Sequence, residues 1–125
     1  MNNIEELVDR YIAVWNEPDA EARRKNIPTL WTEDGANLTK SLEARGYEAL
    51  EARIASAHEK FVRTGGFVFK SMNRTESHHN VVTFHWIMVP AAGGEVAAAG
   101  VNFIILDDDG RIRCDYQFTD ALPTS

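Results

Sequence analysis

The sequence predicts an α+β fold, three helices followed by an antiparallel sheet. Two observations carry it: apolar residues recur at helical spacing through the first half of the chain, and at period two through the second. Ile4, Leu7, Val8, Tyr11, Val14 and Trp15 form the apolar stripe of a first helix. "NEPD" ends it, because Pro18 forces the preceding chain out of helical geometry. Asp19 caps a second helix through residues 20–25. Pro28 lacks a backbone N–H, which predicts a break and restart near Asn26 and an end at "LWTEDG". "ANLT" is a short strand candidate. The longest helical pattern covers residues 46–63, with Tyr47, Leu50, Ile54, Ala57 and Phe61 on one face, and "TGG" stops it. Four strands follow, "GFVFKSMN", "VVTFHWIMV", "EVAAAGVNFIIL" and "RIRCDYQFTD", which make an antiparallel meander. The last turn, "DDDG", supplies the positive φ that a tight hairpin needs.

A chain of 125 residues with no internal repeat or low-complexity linker fits one domain, 1–125. Its 44% hydrophobic and 26% charged residues are the profile of an ordinary soluble globular protein. A net charge of −6 with no Lys/Arg-rich run argues against a nucleic-acid partner. No apolar run approaches the ~20 residues that cross a bilayer, so no membrane partner is expected. The first stretch is acidic and amphipathic, unlike a secretory signal. The single cysteine, Cys114, cannot form an internal disulfide, which suits a reducing cytoplasm; its simplest role is a small packing residue.

Several polar residues stand out in apolar surroundings. Alternation puts Asn102 on one sheet face with Gly100, Ile104 and Leu106. There it either offers an amide N–H to a ligand or bonds a neighbouring backbone group or a buried water. Asp115 and Gln117 share a face with Thr119, opposite Tyr116 and Phe118; that face is either the solvent side of an edge strand or the wall of a cavity. Tyr11 lies on the first helix's apolar stripe, as a core aromatic with its hydroxyl at a rim or as a donor. His58 is one position off the apolar face of its helix, a boundary histidine or a second acid/base group. Trp15, Trp31, Phe61, Phe69, Phe84, Trp86 and Met88 read as core, a subset of them lining a pocket for a flat or hydrophobic small molecule. Glu33 and Asp34 read as a solvated helix terminus. His78 and His79 fall in a turn and His85 points away from the core; no spacing suits a metal, and neither metal nor cofactor is expected.

The strings "VDRYIAVWNEPD", "LWTEDGANLT", "ARGYEALEARI" and "DDDGRIRCDYQFTD" cover essentially the whole chain, and in this order they resemble the nuclear transport factor 2-like superfamily. Within it the chain is similar to the SnoaL-like group, related to ketosteroid isomerases, polyketide cyclases and limonene epoxide hydrolases. The resemblance implies a cone-shaped, cystatin-like fold, in which a strongly curved antiparallel sheet wraps three helices and leaves an apolar pocket. It also implies a homodimer through the sheet, whose exposed face includes Thr83, His85 and Ile87. Ketosteroid isomerases pair a tyrosine on the first helix with a protonated acid on a late strand as an oxyanion hole, and use an aspartate as base. Matched residue by residue, Tyr11 falls at the tyrosine, Asn102 at the protonated acid and Thr39 at the base. A hydroxyl at 39 is too weak a base, so steroid isomerase activity is not expected. In SnoaL-like cyclases an aspartate on the last strand is the acid/base group, and Asp115 is the matching residue. The resemblance thus implies a cofactor-free isomerase, cyclase or hydrolase for a hydrophobic carbonyl or epoxide compound. Tyr11 and Asn102 would steady an oxyanion, Asp115 would move the proton, His58 would assist and Gln117 would contact the ligand. The alternative is a non-catalytic binding or dimerisation module of the same fold.

Overall fold

Period-two alternation in the second half of the chain builds three long hairpin-linked strands, and a fourth closes the meander. The structure, a computed structural model, describes residues 3–119 apart from the side chains of Asn3 and Asn73. Asp120, the last residue of "DYQFTD", lies outside them. Helices α1 (Asn3–Asn16) and α2 (Ala20–Leu30) come first, strands β1 (Trp31–Leu38) and β2 (Glu43–Arg45) follow, and helix α3 (Tyr47–Ala57) comes after them. The meander is β3 (Phe67–His78), β4 (Val81–Pro90), β5 (Ala98–Leu106) and β6 (Ile112–Thr119). One curved sheet runs in the order β2-β1-β6-β5-β4-β3.

The sheet is mixed, which corrects the purely antiparallel expectation. β1 pairs parallel to β6, Asn37 facing Asp115 and Ala36 facing Cys114. A parallel pair needs a long crossover, and everything from β2 to β5 serves as one. β1 also begins at Trp31, so "LWTEDG" opens a strand rather than ending a helix. The reason is a bulge: between the Trp31–Ile112 and Ala36–Cys114 pairs β1 carries extra residues. Glu33 and Asp34 are exposed on that bulge, not on a helix terminus. Gly35 lets it close, since a Cβ there would sit 2.9 Å from the Trp31 side chain.

Pro28 does not break α2, which runs unbroken to Leu30. Arg23, Ile27 and Leu30 form a buried stripe across the proline, and packing of that stripe outweighs one missing helical bond. The proline's own carbonyl accepts from Arg111 Nη1 at 3.2 Å. Asp19 caps the start, its Oδ1 accepting from the Glu21 N–H at 3.0 Å. The long third helix is α only to Ala57; His58–Thr64 form a π-helical continuation before Gly65.

The core lies between the helices and one face of the sheet. In β4, Val82, Phe84, Trp86 and Met88 are buried while Thr83, His85 and Ile87 are half-buried on the other face. Asn16 ties α1 to the edge strand β3. Asn16 Nδ2 donates to the Phe69 carbonyl at 2.8 Å, and its Oδ1 accepts from the Phe69 N–H at 2.8 Å. Among the described residues no helix is long and apolar enough to cross a membrane.

Candidate active site

Four elements deliver polar side chains to one buried point. Asn102 on β5 shares the inner face with Gly100 and Ile104, and Asp115 on β6 faces Ile104 across the pair. Past its bulge, β1 turns Asn37 inward beside Asp115. α1 brings Tyr11 from the opposite side, with its ring against Trp15, Trp31 and Phe84. Trp86 lies across Gly100, and this close approach puts its Nε1 2.8 Å from Asn102 Oδ1.

The bonds of this cluster run in one direction, toward Asp115. Tyr11 donates its hydroxyl to Oδ2 at 2.5 Å, Asn37 Nδ2 donates to Oδ2 at 2.8 Å and Asn102 Nδ2 donates to Oδ1 at 2.7 Å. Asn102 Nδ2 also donates to Tyr11 Oη at 3.0 Å. Behind them stand two further donors, Trp86 to Asn102 and Arg53 Nε to Asn37 Oδ1 at 3.2 Å. Burial pushes the Asp115 pKa up to about 6; bonds from Tyr11, Asn37 and Asn102 and the charge of Arg53 hold it from rising further. Tyr11 is raised well above the usual phenol value, first by burial and then by the carboxylate beside it. The arrangement is therefore a carboxylate poised near neutrality, with a neutral phenol hydrogen-bonded to it.

A cavity of about 1050 Å³ opens over this cluster. Tyr11, Asn102 and Gln117 line it, but Asp115 and Asn37 do not: both are 0% exposed and lie beneath the floor. Trp15, Phe61, Phe69, Trp86 and Met88 form much of its apolar wall. Trp31 and Phe84 are not in the wall; both are fully buried under it, which corrects their expected place as ligand contacts. His58 is not with the cluster either. It is buried in the π-helical turn away from the cavity, and burial followed by the charge of Arg23 keeps its pKa below the usual histidine value. Thr39 lines the cavity, its hydroxyl accepting from the Ser41 N–H at 3.3 Å. Among the described residues no three His, Cys, Asp or Glu side chains could together hold a metal ion.

The geometry also redirects the expected donors. Tyr11 points its one hydroxyl hydrogen at Asp115, and Asn102 points its two at Asp115 and at the Tyr11 oxygen, so in this state neither has one left for a ligand oxygen. Two residues of the site were missed in the sequence. Asn37 carries the same signal as Asn102, an amide inside a short apolar strand. Arg53 stands three residues after Leu50 and four before Ala57, within the inward stripe of α3, where a cation is out of place. It lines the cavity with its guanidinium carbon 5.2 Å from the Trp15 ring centre, and burial lowers its pKa.

Three helices in a curved sheet, with a polar cluster at the floor of one cavity, make up the nuclear transport factor 2-like, cystatin-like fold. More narrowly, the chain resembles the SnoaL-like group. A candidate isomerase of the SnoaL-like family from Agrobacterium tumefaciens superposes with a TM-score of 0.87 at 27% identity, over 97% of this chain and 100% of that one. A SnoaL-like protein of unknown function from Burkholderia thailandensis gives 0.72 at 14% identity over 97% and 98% of the two chains. A candidate polyketide cyclase from Sinorhizobium meliloti gives 0.69 at 12% identity over 90% and 94%. The last two show the fold alone. No family model and no curated protein matches the sequence.

Proposed function

We propose that the protein is a cofactor-free acid/base enzyme, an isomerase or cyclase for a hydrophobic carbonyl compound held in the cavity. The observation that carries this is the Tyr11–Asp115 pair: a carboxylate titrating near neutrality, sealed from the cavity, whose bonded hydroxyl belongs to a cavity-lining residue. Asp115 cannot touch a ligand directly, so Tyr11 relays the proton. A proton leaves the substrate carbon next to its carbonyl for Tyr11 Oη as the tyrosine's own proton passes to Asp115 Oδ2. The electron pair left behind forms the enolate, and Tyr11's new hydrogen faces it. Reversal returns a proton to the same or another carbon, with no net change in electrons or protons. Asn102 and Asn37 hold the carboxylate in place through both halves.

Deuterium exchange from heavy water into 2-tetralone, followed by proton NMR, tests the relay without knowledge of the natural substrate. Exchange above buffer is expected, rising with pH through about 6 as Asp115 ionises. Tyr11→Phe should lower it about a hundredfold, the scale of a general acid/base contribution. Equal exchange in Tyr11→Phe, or none in the wild type, would sink the relay.

The outer face of the sheet supports a homodimer as the partner. Phe103, Tyr116 and Phe118 are exposed there, and Phe103 meets Phe118 edge-to-face at 5.7 Å. Thr83 pairs with Phe103 and His85 with Val101, so they extend the same face. Sedimentation is expected to give twice the chain mass, and Phe118→Glu the single-chain mass; a monomeric wild type at high concentration discards the dimer. A cytoplasmic setting fits the single free cysteine.

A further inference from the structure

The residue that organises the cavity floor is Asn37, and its bonds determine which polar groups are left facing a ligand. Its Oδ1 takes Arg53 Nε at 3.2 Å. Its Nδ2 bonds Asp115 and also donates to Gln117 Oε1 at 3.3 Å. Arg53 is thereby held by its inner nitrogen, and its two terminal nitrogens have no partner among the described residues. Gln117 is held by its oxygen, and its amide nitrogen likewise has none. Both residues line the cavity. Asn102 has neither a donor nor its carbonyl free, since Trp86 fills the latter. The unmatched groups of the floor are thus N–H donors, one of them cationic. A half-buried guanidinium without a bonded carboxylate calls for an acceptor with negative charge.

The charge around the opening agrees. The chain as a whole carries −6, yet of the five Lys, Arg and Glu residues lining the cavity four are cations, Lys40, Arg45, Arg53 and Lys60. Among the described residues only Arg45 has an ion-pair partner, Glu43, the one acid of the lining. Lys40, Arg45 and Lys60 are exposed and Arg53 is half-buried, and cations gathered around the opening of an acidic protein concentrate anions there.

We infer that the cavity binds an organic carboxylate, whose oxygens sit on the terminal nitrogens of Arg53 and the amide nitrogen of Gln117 while its apolar body lies against Phe61, Phe69 and Trp86. A single guanidinium fork matches one planar monoanion in shape and in charge. The inference rests on the reading that this cavity is the ligand site and narrows the substrate to carbonyl compounds that also bear a carboxylate. Such a group is anchored at Arg53, leaving the carbon acid to Tyr11.

Calorimetric titration with 2-naphthoate and with its neutral isostere 2-naphthamide tests this directly. The wild type is expected to bind naphthoate about tenfold more tightly, the advantage of a charge-assisted bond at a partly desolvated cation. Arg53→Gln should erase the preference and Arg53→Lys should keep part of it. Gln117→Leu, which leaves the cation in place, should reduce it severalfold and serves if Arg53→Gln does not fold. Equal affinities, a preference that survives both Arg53→Gln and Gln117→Leu, or no binding of either compound overturns the inference. The outcome is separate from catalysis: selective naphthoate binding with no deuterium exchange would leave the carboxylate site standing and remove the relay. Exchange without carboxylate preference would do the reverse.

Discussion

Replacing Asp115 by Asn is expected to remove a pH dependence of stability that the wild type shows between about pH 4 and pH 7. The folded carboxyl titrates at about 6 against an ordinary value of 3.8, because burial disfavours its charge. Between those values the folded chain binds more protons than the unfolded one. The contribution of this group is therefore fully present below the unfolded pKa and is lost as pH rises through the folded one. The whole loss is about 3 kcal/mol, at about 1.4 kcal/mol for each pH unit between the two values, and most of it falls inside that window. The variant has no proton to lose there. It starts with a penalty of its own, since its amide nitrogen must face one of the donors aimed at Asp115, and a buried mismatch of that kind costs about 1–3 kcal/mol. That penalty does not vary with pH, so the informative quantity is the gap between the two stability curves. Urea denaturation across the pH series should show the gap shifting in the variant's favour by about 2–3 kcal/mol from pH 4 to pH 7. Parallel curves would mean that Asp115 stays at an ordinary carboxylate pKa and is no proton store.

Gly100→Ala should be severely destabilising although it adds one methyl. A Cβ at this position would lie 2.3 Å from the Phe118 carbonyl oxygen and 2.4 Å from Trp86 Cζ2. Neither neighbour yields freely: Gly100 pairs with Trp86 on one side and with Thr119 on the other. The backbone contact forces the β5–β6 pair apart, and the indole must swing away, losing its bond to Asn102. Overpacking and the lost hydrogen bond together suggest about 2–4 kcal/mol. The damage also reaches the chemistry, because an Asn102 freed from Trp86 can turn its amide and withdraw a donor from Asp115. Denaturation midpoints and the pH profile of deuterium exchange should therefore change together. Pairing Gly100→Ala with Trp86→Phe should recover only the share due to the indole. A single variant within about 0.5 kcal/mol of the wild type would refute this packing account.

The parts of the fold visible in the sequence were those with an uninterrupted period. The stripe of α1 and the alternation of β4 and β5 predicted which side chains turn inward, Asn102 among them. Only the end of β1 was visible, as "ANLT"; its first half escaped because the bulge breaks the alternation just where "TEDG" also suits a helix end. The break expected at Pro28 failed for a related reason: a rule about one hydrogen bond was outweighed by a buried stripe that only the tertiary fold reveals. In the site, Tyr11, Asn102 and Asp115 were identifiable as residue types in unusual company. The aim of their hydrogens was not, since that depends on three distant strands and a helix meeting at one point. Asn37 and Asp115 are 78 positions apart and touch only through the parallel pairing. Arg53 was hidden by habit, as an arginine on a helix usually reaches water.

The pair of hydrogen bonds between Asn16 and the Phe69 backbone has a consequence for the protein's life at high concentration. β3 is twelve residues long and lies at the rim of the sheet, where a row of unpaired backbone groups can recruit a strand from another molecule. By filling both the N–H and the C=O of Phe69, Asn16 blocks that template near its start. Further along, the irregular register between Ser71 and Thr75 bends the rim away from any straight partner. Without these two devices, β3 would offer a long straight edge to a strand of a second molecule.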